Sequence, residues 1–217
     1  GPRDGAFRLF ARERAPGILG SNGEDGPMHS RAARGTDSRR FASIHLDLGR
    51  RVSIRPIDSF DRPALSAFYA SLSDESRRRR FLGWHHLTSS EIEATANGIG
   101  LVAVLRTAGP DDGAIVAHAQ LCPDGTGSLE AGFAVRDDVQ GRGIGSALVR
   151  GCLDVARDLS LRRLVATTYP DNLPMRRLLL GAGCAIESDR IDAGIEEIVL
   201  RIPAVGPAAR PAVAPVA

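Results

Sequence analysis

The chain has little cysteine, no long apolar run and almost no net charge, and each shortage closes off a class of function. Cys122, Cys152 and Cys184 are the only cysteines in 217 residues. No two of them form a CxxC pair and one is left over, which argues against a disulfide framework or a zinc site and favours a reducing, cytoplasmic setting. No stretch approaches the roughly 18 apolar residues of a membrane helix, and no apolar core of a signal peptide stands near the start. The 28 basic and 26 acidic side chains leave a charge of +2, too weak a field to imply nucleic-acid or membrane binding without a localised patch. An initiating Met is missing as well: Gly1 leaves open a processed, engineered or misassigned start, with Met28 as an alternative origin. No internal repeat is present.

With 43% hydrophobic and 25% charged residues, the composition is that of an ordinary globular protein, and the length suits one domain with tails. Residues 1–50 mix Gly, Arg, Ser, Asp and Glu without a period of 2 or 3.6, so the sequence predicts a disordered N-terminal extension. Its arginines suggest an organelle transit peptide, but Asp4, Glu13, Glu24 and Asp25 count against one. Residues 203–217 are nearly all Pro, Ala, Val and Gly, the composition of a flexible tail.

Between them, 51–202 reads as one domain. Val52 to Ile57 alternates like a strand, 62–72 has helical spacing, and Thr88-Ser89-Ser90-Glu91 is a capping signal for a helix to about residue 97. Strands follow over 101–106, 114–121 and 128–135, joined by turns at Gly109-Pro110-Asp111-Asp112-Gly113 and Pro123-Asp124-Gly125-Thr126-Gly127. Then come a helix over 143–158, a buried strand over 164–168, a helix over 172–181, and strands near 185 and over 195–202.

The segment Gln140-Gly141-Arg142-Gly143-Ile144-Gly145 lies between the strand 128–135 and an amphipathic helix carrying Ile144, Leu148, Cys152 and Val155 on one face. Glycine lacks the Cβ that would block close approach, so successive N–H groups can point at one anion where the helix dipole favours its charge. A bare glycine-rich turn is the plainest alternative. A dinucleotide fingerprint fails, because its third glycine position is Ser146 and the strand about 20 residues on ends Ala166-Thr167-Thr168 without an acid. A Walker loop fails because no Gly-Lys-Ser/Thr follows.

The segment Ala134 to Leu148 resembles the Gln/Arg-x-x-Gly-x-Gly/Ala signature of the GNAT (Gcn5-related N-acetyltransferase) family. Farther on, Asn172-Leu173-Pro174-Met175-Arg176-Arg177-Leu178-Leu179-Leu180-Gly181-Ala182-Gly183-Cys184 is similar to that family's Asn-x-x-Ala/Met-x-x-Leu-x-x-x-Gly-Phe helix, with Cys184 in place of the usual aromatic. The resemblance covers roughly residues 50–202. It implies an α/β (α+β) fold, a mixed, mostly antiparallel sheet of about six to seven strands flanked by about four helices. It also implies acetyl-CoA, or a related acyl-CoA, as cosubstrate, without a metal. Main-chain groups near Phe133, Ala134 and Val135 would pair with the pantetheine arm. The N–H groups of Gln140, Gly141, Arg142, Gly143, Ile144, Gly145 and Ser146 would hold the pyrophosphate, with the Arg142 charge nearby. Asn172 would reach the pantetheine or the amine side, or act only as a helix N-cap.

A lysine amine has a pKa near 10.4, so acyl transfer needs a proton removed. The resemblance places a general base at Glu130, whose plain alternative is a solvated strand residue; His118, on the neighbouring strand, and Asp171 are the backups among the residues nearby. The family's tyrosine acid falls on Leu179 here; Tyr169 stands near in sequence. Leu72-Ser73-Asp74-Glu75-Ser76-Arg77-Arg78-Arg79-Arg80-Phe81-Leu82 resembles a stretch of bacterial protein lysine acetyltransferases that act on acyl-CoA synthetases. The expected partner is therefore a protein lysine, with a small-molecule amine as the runner-up and a non-catalytic acyl-CoA sensor as the alternative of another class. The expected assembly is a monomer or homodimer. The four arginines are expected to be a solvated helix end, or else to meet an acidic surface or the 3′-phosphate of CoA. Trp84-His85-His86 adds an aromatic and basic cluster on the acceptor side.

Overall fold

Short apolar runs become strands and capped periodic segments become helices throughout the computed structural model, which describes residues 42–46, 49–123 and 127–202. The tail, and the extension up to residue 41, lie outside the described residues. In chain order the elements are β1 (Ser43–His45), β2 (Arg51–Pro56), α1 (Arg62–Ser71), α2 (Asp74–Phe81), α3 (Ser89–Ala96), β3 (Ile99–Arg106), β4 (Ile115–Pro123) and β5 (Ser128–Val135). They continue with α4 (Ile144–Asp158), β6 (Arg163–Thr168), α5 (Leu173–Leu180), β7 (Ala185–Asp192) and β8 (Ile195–Arg201).

The strands form one sheet in the order β1-β2-β3-β4-β5-β6-β8-β7. Every pairing is antiparallel except β5 with β6. That parallel pair needs a crossover, and α4 supplies it. Both faces are covered over β3: Leu101, Ala103 and Leu105 pack toward α4, whereas Val102 and Val104 join Leu65, Phe68, Tyr69, Ile92 and Phe81 from α1, α2 and α3. Burial on both faces explains why β3 reads as a continuous apolar run without alternation.

The sheet has eight strands and the described residues five helices, one more of each than the sequence leads one to expect. The added strand is β1, where Ile44 pairs with Val52 inside the stretch 1–50 that reads as unstructured. It is three residues long, too short to show a period. The added helix is α2, whose Asp-Glu-Ser-Arg-Arg-Arg-Arg-Phe sequence has no apolar face. Local electrostatics and capping make it helical instead. Ser73 accepts the Ser76 N–H, Glu75 pairs with Arg78 and Arg79, and Leu82 closes the end in the left-handed conformation at φ 53°.

Candidate active site

β5 and β6 pair only from Ser128 with Arg163 to Glu130 with Val165. Beyond that point they separate, and the gap opens into a cleft of about 760 Å³. Phe133, Ala134, Val135, Gln140, Gly141, Gly143, Ile144, Gly145, Ser146 and Asn172 all line it, so the sequence-predicted binding residues converge on one cavity. Arg142 is exposed and does not line it. The N–H of Arg136 donates to Val116 on β4. Strand alternation therefore turns the main chain of Phe133 and Val135 toward the cleft and that of Ala134 toward β4.

The loop leaves β5 through a 3-10 turn, Asp137–Val139, and enters α4 at Gly143. Gly141 and Gly143 hold φ of 72° and 82°, a region that favours glycine. No side chain caps α4. The N–H groups of its first turn have no partner inside the helix and are left for an anion, in the field of the dipole. Gly145 serves a different end. A Cβ there would meet Leu178 at 3.3 Å, so this glycine sets the approach of α5.

α2 forms the opposite wall, and the loop is tied to it. The Asp137 carboxylate accepts the Ser73 N–H at 3.0 Å, the Ser73 hydroxyl at 2.9 Å and the Ser76 hydroxyl at 2.7 Å. Burial pushes the Asp137 pKa up, but these bonds outweigh it and hold the carboxyl below the usual carboxylate range. The Gln140 amide donates to the Val135 carbonyl at 3.0 Å and to the Ser76 hydroxyl at 3.3 Å. Ser73, Ser76, Asp137, Arg79, Arg80 and Arg177 were not assigned to this cavity from sequence. The Ser-Asp-Glu-Ser-Arg run hinted at the first of them, and the 3′-phosphate alternative at Arg79 and Arg80.

The arginines of α2 are not a solvated helix end. All four are half-buried, Arg78 and Arg80 by contacts with distant parts of the chain. Arg77 donates to the Leu72 carbonyl, Arg78 lies 4.5 Å over the Tyr169 ring, and Arg79 pairs with Glu75. Arg80 donates to Gln120 at 3.0 Å. A Cβ on Gly132 would lie 2.6 to 2.9 Å from the guanidinium atoms of Arg80, so that group rests on the bare backbone of β5. Arg79 and Arg80 also line a small cavity of about 30 Å³ where β5 and β6 part, with Ala131, Gly132, Phe133, Ala166, Thr167, Thr168 and Met175.

Glu130 is half-buried, at the last paired position before the strands part, beside Cys122 on β4. It lines neither cavity. Strand alternation puts it on the same sheet face as Gly132, the face that meets Arg80 and α2. His118, the first substitute base, is fully buried. Its Nδ1 lies 2.8 Å from the Tyr69 hydroxyl, and burial, with the Arg80 charge adding, lowers its pKa to about 3. Asp171 is exposed and outside the cavities.

Asn172 is a buried N-cap: its Oδ1 accepts from Met175 and its Nδ2 donates to Thr168 at 2.9 Å. Leu179, at the position of the missing tyrosine acid, is fully buried. Trp84 is 77% exposed, whereas His85 pairs with Glu91 and His86 with Arg77. Among the described residues no group of His, Cys, Asp or Glu is placed to hold a metal.

A family profile described as acetyltransferase (GNAT) domain matches residues 51–185. Acetyltransferase PA5475 of Pseudomonas aeruginosa is 30% identical over 160 residues, 68% of this chain and 82% of that protein. The GNAT domain of S. lividans PAT superposes with a TM-score of 0.65 at 27% identity, covering 76% of this chain and 98% of that one. The structure of yncA from Salmonella typhimurium, solved with its cofactor acetyl-CoA, gives a TM-score of 0.54 at 18% identity over 75% of this chain and 99% of that one, a likeness of fold alone. With the glycine loop at a helix N-terminus and a cleft between parting strands, these matches make the chain a member of the GNAT acetyltransferase family.

Proposed function

We propose that the chain transfers the acetyl group of acetyl-CoA to a primary amine, a lysine side chain of a protein such as an acyl-CoA synthetase, by direct attack with Glu130 as general base. The cleft takes the cosubstrate: the first turn of α4 and the N–H groups around Gly141 and Gly143 meet the pyrophosphate, and the main chain of Phe133 and Val135 meets the pantetheine arm. Asn172 shapes the cleft through its cap.

The acceptor ammonium gives a proton to the Glu130 carboxylate, directly or through one water, since a neutral amine is the nucleophile. The amine nitrogen then bonds the thioester carbon, a backbone N–H near Val135 steadies the carbonyl oxygen, the nitrogen sheds its second proton to water, and the C–S bond breaks as the amide forms. The observation that carries the protein acceptor is the surface beside Glu130. Val165 and Thr167 of β6 are half-buried there and Glu197, opposite Thr167 on β8, is exposed. This is an open strand face that suits a side chain borne on a large partner, together with the resemblance over 72–82. The three cysteines are free, in keeping with a cytoplasmic setting.

The chain contains no lysine, so acetyl-lysine formed in a mixture belongs to the acceptor. Incubation with acetyl-CoA and a protein extract, read by mass spectrometry, is expected to show new acetyl-lysine. Acetylated small amines alone would replace the protein acceptor with the runner-up, and CoA binding without turnover would leave a sensor. Glu130→Gln is expected to lower the rate by on the order of 100-fold with CoA affinity kept; an unchanged rate removes Glu130 from the role.

A further inference from the structure

Arg80 is a fixed cation at the point where β5 and β6 part, and no step of the reaction so far uses it. Its position is set from several sides. The guanidinium rests on Gly132, where any Cβ would collide with it. One Nη donates to Gln120. Burial raises the pKa of the Tyr69 hydroxyl and the Arg80 charge opposes that rise; the hydroxyl in turn meets His118 at 2.8 Å. His118 stays neutral, so it does not compete with the arginine. Arg80 is among the residues that line both the cosubstrate cleft and the small cavity at its end. A cation held so firmly in a recess bears on whatever negative charge develops there.

Resting on the acyl-CoA reading, we propose that Arg80 stabilises the thiolate of CoA as it leaves. When the amine nitrogen bonds the carbonyl carbon and the C–S bond breaks, the electron pair passes to sulfur. The sulfur leaves as an anion, while the first proton of the acceptor ammonium is on Glu130 and the second has passed to water. Leu179 offers that sulfur no proton, being apolar and fully buried. The Arg80 guanidinium offsets the charge until the thiolate takes a proton from solvent. Glycine at 132 is then part of the same device, because it lets the planar cation lie against the strand on which the pantetheine is threaded.

The test is the ionisation of CoA bound to the full chain, followed by thiolate ultraviolet absorbance against pH, with desulfo-CoA as the blank. A thiol near 8.5 in solution is expected to drop by at least about one pH unit on the wild-type protein, a tenfold gain in ionisation, as for thiols beside arginine elsewhere. Arg80→Met is expected to bind CoA but to return the thiol toward its solution value and to cut kcat by on the order of 10- to 100-fold, with the acceptor KM little changed. Arg80→Lys is expected to restore part of both. Gly132→Ala, which displaces the guanidinium without removing it, is expected to move the thiol in the same direction as Arg80→Met.

An unshifted thiol on wild-type protein that binds CoA normally overturns this proposal alone. So does an Arg80→Met variant that loses only acceptor affinity. Failure of the wild-type protein to bind CoA overturns the acyl-CoA reading, and this proposal with it.

Discussion

Gly143→Ala isolates the conformational demand of the loop from every other effect. Gly143 has φ 82°, and an added Cβ would meet nothing within 4 Å. The substitution therefore introduces no clash, and its cost is the backbone alone. Holding an L-residue in the left-handed region costs about 1–2 kcal/mol. In the free protein the loop can relax and avoid that cost; in the complex the N–H groups must point at the pyrophosphate and the strain returns. The loss then appears in binding, as CoA affinity about five- to thirty-fold weaker. Gly145→Ala is the control. It lacks the positive φ but meets Leu178 at 3.3 and 3.5 Å, so its cost falls on the contact between α4 and α5, and on stability more than affinity. Calorimetric titration with CoA and urea unfolding of both variants separate the two. Equal CoA affinity for Gly143→Ala and wild type, or a larger affinity loss for Gly145→Ala than for Gly143→Ala, would refute the assignment of the loop geometry to anion binding.

Two further outcomes concern stability. His118 ionises at about 3 in the folded protein against 6.5 as a free side chain. The unfolded chain therefore takes up a proton below pH 6.5 that the native state refuses, and stability is lost as pH falls through that window, by roughly 2 kcal/mol between pH 7 and pH 5. Asp61 and Asp137, whose pKa values are lowered from 3.8, contribute their own losses only at lower pH. Thermal unfolding of His118→Gln should show a flatter pH dependence from 5 to 7, and an unchanged slope contradicts the burial argument. Gly100→Ala on β3 places a Cβ 2.7 Å from the Ala119 carbonyl oxygen and 3.2 Å from His118 Nε2. Backbone cannot yield as a side chain can, so urea unfolding should show a loss of about 2–3 kcal/mol.

Much of the architecture is written locally. Thr88 and Glu91 form the capping box that starts α3, and Asn172 caps α5 three residues before the N–H it accepts. The glycines at 141 and 143 adopt the positive φ that only their lack of a Cβ makes easy. These features, the succession of strands and the pairing of the loop with the Asn172 helix rest on contacts within a few residues, or on side chains whose type alone limits the backbone. Sequence spacing reports such contacts directly.

The walls of the cleft are of another kind. Asp137 is bonded to Ser73 across 64 positions, Arg80 to Gln120 across 40, and Tyr69 to His118 across 49. An arginine in a polar run reads as solvated until a glycine on a distant strand is seen to make room for it, and a strand histidine reads as a possible base until a tyrosine from another helix is found sealing it in. Packing is a property of the whole: it sets the pKa of His118 and fixes the place of the Arg80 side chain, and no stretch of neighbouring residues contains it. The kind of chemistry was therefore legible in the order of residues, whereas the placement of the charges that would run it came only with the meeting of α2, β4 and β5.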